Sequence, residues 1–123
     1  MKILLVEDND VNVFLAQRIF QKTAPESVVL VTKNGEQALS LLESETVDLV
    51  FMDIHMPVMD GFEATIILRE NPKFSNLPII AMTSGVLESE KKQSFDVGMN
   101  DYLSKPIVET ELADILSKWG TKD

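Results

Sequence analysis

The chain has 123 residues, enough for one domain with one substantial core, and 45% of them are apolar, which excludes a long disordered polypeptide. Twenty acidic against eleven basic residues give a formal charge of −9, which argues against direct nucleic-acid binding, because phosphate contacts need Lys and Arg. With no cysteine, the chain offers neither a disulfide framework nor a thiolate metal site.

The apolar run Ile3-Leu4-Leu5-Val6 is too short for an export signal and far below the roughly 20 residues of a membrane span. It reads as a core strand covered on both faces, in a cytoplasmic protein without membrane insertion. Glu7-Asp8-Asn9-Asp10 follows as a run able to cap a helix, and Val11, Phe14, Leu15, Arg18 and Ile19 repeat at helical spacing until Pro25. Val28 to Val31 predicts a second strand, Asn34-Gly35 a turn, and Ala38, Leu39 and Leu42 a second helix. Val47 through Met52 is apolar except for Asp48 and ends at Asp53, predicting strand three. Pro57, Asp60 and Gly61 then imply a loop, and Phe62 to Glu70 a third helix stopped by Asn71-Pro72. Pro78 to Met82 is the fourth strand. Glu88 to Val97 is a weakly amphipathic helix ended by Gly98, and Asp101 to Leu103 is a brief fifth strand. Val108, Leu112, Ile115 and Trp119 mark the last helix.

Five strands alternating with five helices imply an α/β fold, a parallel sheet with helices on both faces and right-handed crossovers. Residues 1–123 read as one domain, with no internal repeat, low-complexity segment or linker. Such sheets bind ligands beyond the carboxyl ends of their strands. The unusual polar residues fall there: Glu7 and Asp8 after strand one, Asp53 ending strand three, Thr83 ending strand four, and Lys105 after strand five.

Three converging carboxylates repel one another unless protons or a cation compensate. Mg²⁺ does so with carboxylate, carbonyl and water oxygens. Taken alone, Glu7 and Asp8 also read as simple helix-capping acids, and a lone strand-end Asp as part of a surface turn. Together with Lys105 and Thr83, Asp53 reads as a carboxylate nucleophile that forms an acyl phosphate. Lys105 supplies a positive charge to one phosphoryl oxygen and Thr83 a hydroxyl to another.

The segments VEDN (Val6 to Asn9), MDIHMPVMDG (Met52 to Gly61), AMTSG (Ala81 to Gly85) and DYLSKP (Asp101 to Pro106) resemble the receiver domain of two-component response regulators. VEDN with Asn12 further resembles the receivers of hybrid sensor kinases. The resemblance implies a flavodoxin-like (βα)5 fold and a magnesium site made by Asp8, by Glu7 mainly through water, by Asp53 and by the His55 backbone carbonyl. It implies phosphorylation at Asp53, phosphoryl binding by Thr83 and Lys105, a switch made of Thr83 and Tyr102, and a Lys105-Pro106 bond that is commonly cis. The implied donor is phosphohistidine on a histidine kinase or histidine-phosphotransfer protein, with slow self-catalysed hydrolysis afterwards. The implied output is a downstream protein or fused output domain, since only four residues follow Trp119. His55 departs from the more familiar Gln, Asn or Met of this loop; its imidazole either faces the attacking water or only solvent.

Two rival classes share part of this pattern. Dehalogenase-like phosphohydrolases place a second Asp two positions after the nucleophile, where this chain has His55. A flavodoxin-like cofactor module needs a phosphate-cradling loop after strand one, where Glu7-Asp8-Asn9-Asp10 repels a phosphate.

Overall fold

Strand β1 (Lys2–Val6), helix α1 (Asp10–Thr23), β2 (Val28–Thr32), α2 (Gly35–Ser44), β3 (Leu49–Asp53), α3 (Gly61–Arg69), β4 (Ile79–Thr83), α4 (Glu88–Asp96), β5 (Asp101–Ser104) and α5 (Glu109–Trp119) follow one another, with one 3-10 turn at Pro72–Phe74. The computed structural model describes residues 1–85 and 88–120. All strand pairs are parallel and the sheet order is β2-β1-β3-β4-β5. This is the expected five-stranded (βα)5 sheet with helices on both faces.

Successive side chains on each strand face opposite ways, and the chain exploits this to build two apolar layers. Ile3, Leu5, Phe51, Ile80 and Met82 pack against Val13, Ala16 and Phe20 of α1 and Leu112 and Ile115 of α5. Leu4, Val6, Val50, Met52, Ile79 and Ala81 pack against Ala38 and Leu42 of α2 and Ala64 and Leu68 of α3. Every residue of β3 and β4 is buried, as continuous apolar runs in a doubly covered sheet require. A slip of one residue in either strand would exchange the two layers.

The helices begin where side-chain acceptors meet free backbone N–H groups. Asn9 Oδ1 accepts from the N–H groups of Val11 (2.9 Å) and Asn12 (3.1 Å) to start α1. Asn34, expected within a turn, instead caps α2 by accepting from the Gln37 N–H at 2.8 Å. Asp60 and Glu63 form a reciprocal capping box at the start of α3.

The periodic stripe expected to face the core from α1 faces outward in large part. Val11, Phe14 and Leu15 are exposed, at 65%, 57% and 43%, while Val13, Ala16 and Phe20 are buried. Both sets repeat at helical spacing, so periodicity alone does not choose between them. On the buried set, Phe20 packs edge to face against Phe51 at 5.1 Å between centroids. Strand β3 begins at Leu49, two residues later than expected, because Asp48 is engaged with the start of β1. Its N–H donates to the Lys2 carbonyl at 2.8 Å and its carboxylate accepts from the Lys2 N–H at 2.7 Å. Helix α4 stops at Asp96, and Gly98, at φ +108°, makes the left-handed turn that leads into β5.

Candidate functional site

The order β2-β1-β3-β4-β5 sends the chain to opposite sides of β1, which leaves a crevice beyond the carboxyl ends of β1 and β3. Asp53 is the last residue of β3 and Glu7 directly follows β1, so the sheet itself aims both carboxylates at the crevice. The Glu7 N–H donates to the Thr32 carbonyl at 3.0 Å, extending the ladder one step and fixing that backbone. Glu7 and Asp53 are almost fully buried, at 2% and 1% exposure, whereas Asp8 lies exposed at the rim. Carboxylate oxygens of Glu7, Asp8 and Asp53 all lie within 4.8 Å of one another.

Lys105, just after β5, enters from the other side. Its backbone N–H donates to the Thr83 carbonyl at 2.7 Å, and its ammonium donates to Asp53 Oδ2 at 2.8 Å and Glu7 Oε1 at 3.1 Å. Burial pulls the Lys105 ammonium toward neutrality, but the hydrogen bonds and charges of Asp53 and Glu7 outweigh it and raise its pKa above the usual lysine value. One ammonium among three carboxylates leaves an excess of negative charge. The donor set is all oxygen, with one member open to solvent, and fits a small hard divalent cation that retains water ligands.

The loop after β3 orients the central carboxylate. The His55 N–H donates to Asp53 Oδ1 at 2.9 Å, while Lys105 holds the other oxygen. Val58 sits at φ +70°, a strained value for a β-branched residue, in a tight turn closed by the Met59 N–H on the Pro57 carbonyl at 2.8 Å. Gly61 then starts α3 against the back of Asp53. A Cβ on Gly61 would lie 2.4 Å from the Asp53 carbonyl oxygen, so only glycine lets the helix approach this closely.

Thr83 closes β4 and is buried, but its hydroxyl is engaged within its own loop. It donates to the Gly85 carbonyl at 2.5 Å and accepts from the Gly85 N–H at 3.2 Å; Glu90 Oε1 lies 3.3 Å away. His55 Nε2 donates to the other oxygen of Glu90 at 2.5 Å. Tyr102, on β5, is half-buried; its ring meets Phe95 edge-on at 6.3 Å, and the Lys91 ammonium lies 4.4 Å from its centroid. The Lys105-Pro106 bond is cis.

The structure therefore brings Glu7, Asp8, Asp53 and Lys105 into one cluster, with the His55 backbone beside it. Thr83 borders the cluster through the Lys105 backbone, and Tyr102 stands one strand away on β5. Glu90 is the residue that sequence reasoning missed. It reads as a first-turn acid of α4, and only the packing of that helix carries its carboxylate to His55 and Thr83.

The family model described as the response regulator receiver domain matches residues 3–117. The sensor protein GacS of Pseudomonas syringae pv. syringae is 38% identical over 121 residues, which cover 96% of this chain and 13% of that protein. The chain thus spans only a small part of such relatives. The receiver domain of sensor histidine kinase PA1611 from Pseudomonas aeruginosa PAO1, solved with a magnesium ion in its active-site cleft, superposes with a TM-score of 0.86 at 36% identity, covering 96% of this chain and 95% of that one. A chain of the co-crystal of the Saccharomyces cerevisiae phosphotransfer protein Ypd1 with the receiver domain of Ssk1 gives a TM-score of 0.88 at 28% identity, covering 98% of this chain and 88% of that one. An acidic edge of this composition, at the order reversal of a β2-β1-β3-β4-β5 sheet, agrees with a match that spans nearly the whole sequence: the chain belongs to the response regulator receiver domain family, whose members are phosphoacceptors.

Proposed function

We propose that Asp53 accepts a phosphoryl group from phosphohistidine and that the chain as a whole, residues 1–123, is one receiver domain working in the cytoplasm. The observation that carries this reading is the bracketing of the Asp53 carboxylate. Lys105 holds one oxygen, the His55 N–H the other, and two more carboxylates stand within 4.8 Å. A bound magnesium ion would supply charge neutralisation for the phosphoryl oxygens and alignment of donor with nucleophile. Glu7, Asp8, Asp53 and the His55 carbonyl would hold it. The magnesium in the PA1611 receiver supports this choice of metal.

In the forward step an Asp53 oxygen forms a bond to phosphorus as the phosphorus–nitrogen bond of phosphohistidine breaks, and the departing imidazole takes up a proton. Lys105 then pairs with a phosphoryl oxygen and Thr83 donates its hydroxyl to another. In the later hydrolysis, a water oxygen bonds to phosphorus as the bond to the Asp53 oxygen breaks, the water gives up a proton to solvent, and the free carboxylate and inorganic phosphate result. The partner is a histidine kinase or histidine-phosphotransfer protein. The kinase relatives and the Ypd1 co-crystal support this class of donor, and a downstream protein or fused output domain reads the product. No helix of the described residues is long and apolar enough to cross a membrane.

Incubation with acetyl phosphate and magnesium, followed by intact-mass measurement, tests the chemistry. One alkali-labile phosphoryl group is expected on the wild type and none on Asp53→Ala; an unchanged modification in the variant would remove Asp53 from the role. Transfer from a panel of phosphorylated histidine domains tests the donor class.

A further inference from the structure

Helix α4 is thinly attached to the core: Ser94 is its one buried residue. Glu90 and Lys91 of its first turn reach His55, Thr83 and the Tyr102 ring, which makes the partners of that turn informative. Glu90 is largely covered, with 18% of its side chain exposed, and both of its oxygens are directed at the functional edge. Oε2 accepts from His55 Nε2 at 2.5 Å, and Oε1 lies 3.3 Å from the Thr83 hydroxyl. The Ser94 hydroxyl donates to the Glu90 carbonyl at 2.8 Å, which fixes the helix backbone beneath this side chain. The next residue, Lys91, carries its ammonium over the ring of Tyr102.

A carboxylate and a phosphoryl group are both anionic oxygen acceptors and compete for the same donors. The Thr83 hydroxyl carries one proton. In the unphosphorylated chain the nearer acceptor of that proton is the Gly85 carbonyl at 2.5 Å, with Glu90 Oε1 a second, weaker one at 3.3 Å, both on the β4–α4 side. We infer that Glu90 is a positioning residue that opposes activation: its carboxylate holds Thr83 and His55 in the unphosphorylated arrangement and must give up Thr83 when Asp53 is phosphorylated. The inference rests on the phosphoacceptor reading of Asp53. Release of Glu90 frees the first turn of α4, and because Lys91 is the adjacent residue, the same movement reaches Tyr102. Glu90 touches no reacting atom; it acts through Thr83.

Titration of the whole chain with beryllofluoride in excess magnesium, followed by amide NMR signals of Thr83 and Tyr102, tests this. Glu90→Ala should lower the half-saturating beryllofluoride concentration about three- to tenfold, the factor expected for loss of one competing hydrogen bond. Glu90→Gln, which keeps an acceptor oxygen and the shape of the side chain, should give a smaller change and serves where the alanine variant frays α4. In a Thr83→Ala background most of the Glu90→Ala effect should vanish, because the two residues act as one unit. Glu88→Ala, in the same turn but paired with Lys91 and with neither Thr83 nor His55 among the described residues, should leave the half-saturation point unmoved. Unchanged or weaker binding in Glu90→Ala, an equal effect without the Thr83 hydroxyl, or an equal effect from Glu88→Ala would each overturn the inference. A wild-type chain that ignores beryllofluoride would instead reject the phosphoacceptor reading beneath it.

Discussion

Lys105 serves two buried carboxylates at once, and removing it exposes what the sheet has forced together. Lys105→Ala leaves Glu7 and Asp53 facing each other without their cation, a loss of about 2–3 kcal/mol in urea unfolding without divalent metal. Added magnesium should recover part of that loss by binding the folded state. The pH dependence has a definite sign. The Lys105 pKa is raised above 10.5, so its stabilising contribution is fully present below that value and fades only as pH rises through the raised one. Unfolding midpoints should therefore show no loss from this group between about pH 7 and about pH 9. Gly61 has an equally local role. Gly61→Ala drives a methyl into the Asp53 carbonyl and the Met52 side chain, so it should cost about 1–3 kcal/mol and slow phosphorylation by displacing the nucleophile. A denaturation curve and an acetyl phosphate time course measure the two effects separately. Glu7, Asp8, Asp53, Thr83 and Lys105 were legible in the sequence because each breaks or follows an apolar strand, and strand ends of a parallel sheet share an edge. Glu90 was not, since its approach to His55 across 35 positions depends on how a weakly patterned helix settles.

Among the elements, the strands were the easiest to read and the helix faces the hardest. Continuous apolar runs locate β1, β3 and β4 closely. Helix α1 instead carries two competing stripes, and the larger apolar residues Phe14, Leu15 and Val11 lie on the outward one. Nor did periodicity register the clamp under α3. Arg69 donates from Nε to the Gly98 carbonyl (2.9 Å), from Nη1 to the Phe74 carbonyl (2.6 Å) and from Nη2 to Asn100 Oδ1 (2.8 Å). Asn100 Oδ1 also accepts from the Ile79 N–H at 2.9 Å, so one guanidinium joins the end of α3, the entry to β4 and the turn before β5. Burial lowers the Arg69 pKa, yet a guanidinium stays charged at any ordinary pH. Arg69→Met keeps much of the apolar stem and removes three hydrogen bonds, to the Gly98 and Phe74 carbonyls and to Asn100 Oδ1. The expected loss is about 2–3 kcal/mol in unfolding free energy, with faster amide exchange at Ile79 and Asn100.

At the scale of the whole molecule, β4 and β5 run side by side from the functional edge toward the face that carries Tyr102. Thr83 ends β4, its partner in the sheet register is Ser104, and Tyr102 lies two residues back along the same strand. On the proposed reading, phosphorylation would add acceptor oxygens near Thr83 and bias an existing equilibrium of this loop and Tyr102, with the sheet unchanged. Thr83→Ala should retain measurable phosphorylation of Asp53 while reducing the beryllofluoride-induced NMR shifts around Tyr102. Identical shifts in both proteins would remove the hydroxyl from the coupling. All of this depends on where the phosphoryl group resides, and borohydride reduction addresses that directly, because it converts an aspartyl phosphate to homoserine. After incubation with acetyl phosphate and magnesium, reduction and peptide mass spectrometry, homoserine is expected at position 53 and at no other acidic residue. A phosphorylated protein that yields no homoserine there, or yields it at Asp8 or Asp60 instead, would contradict the account.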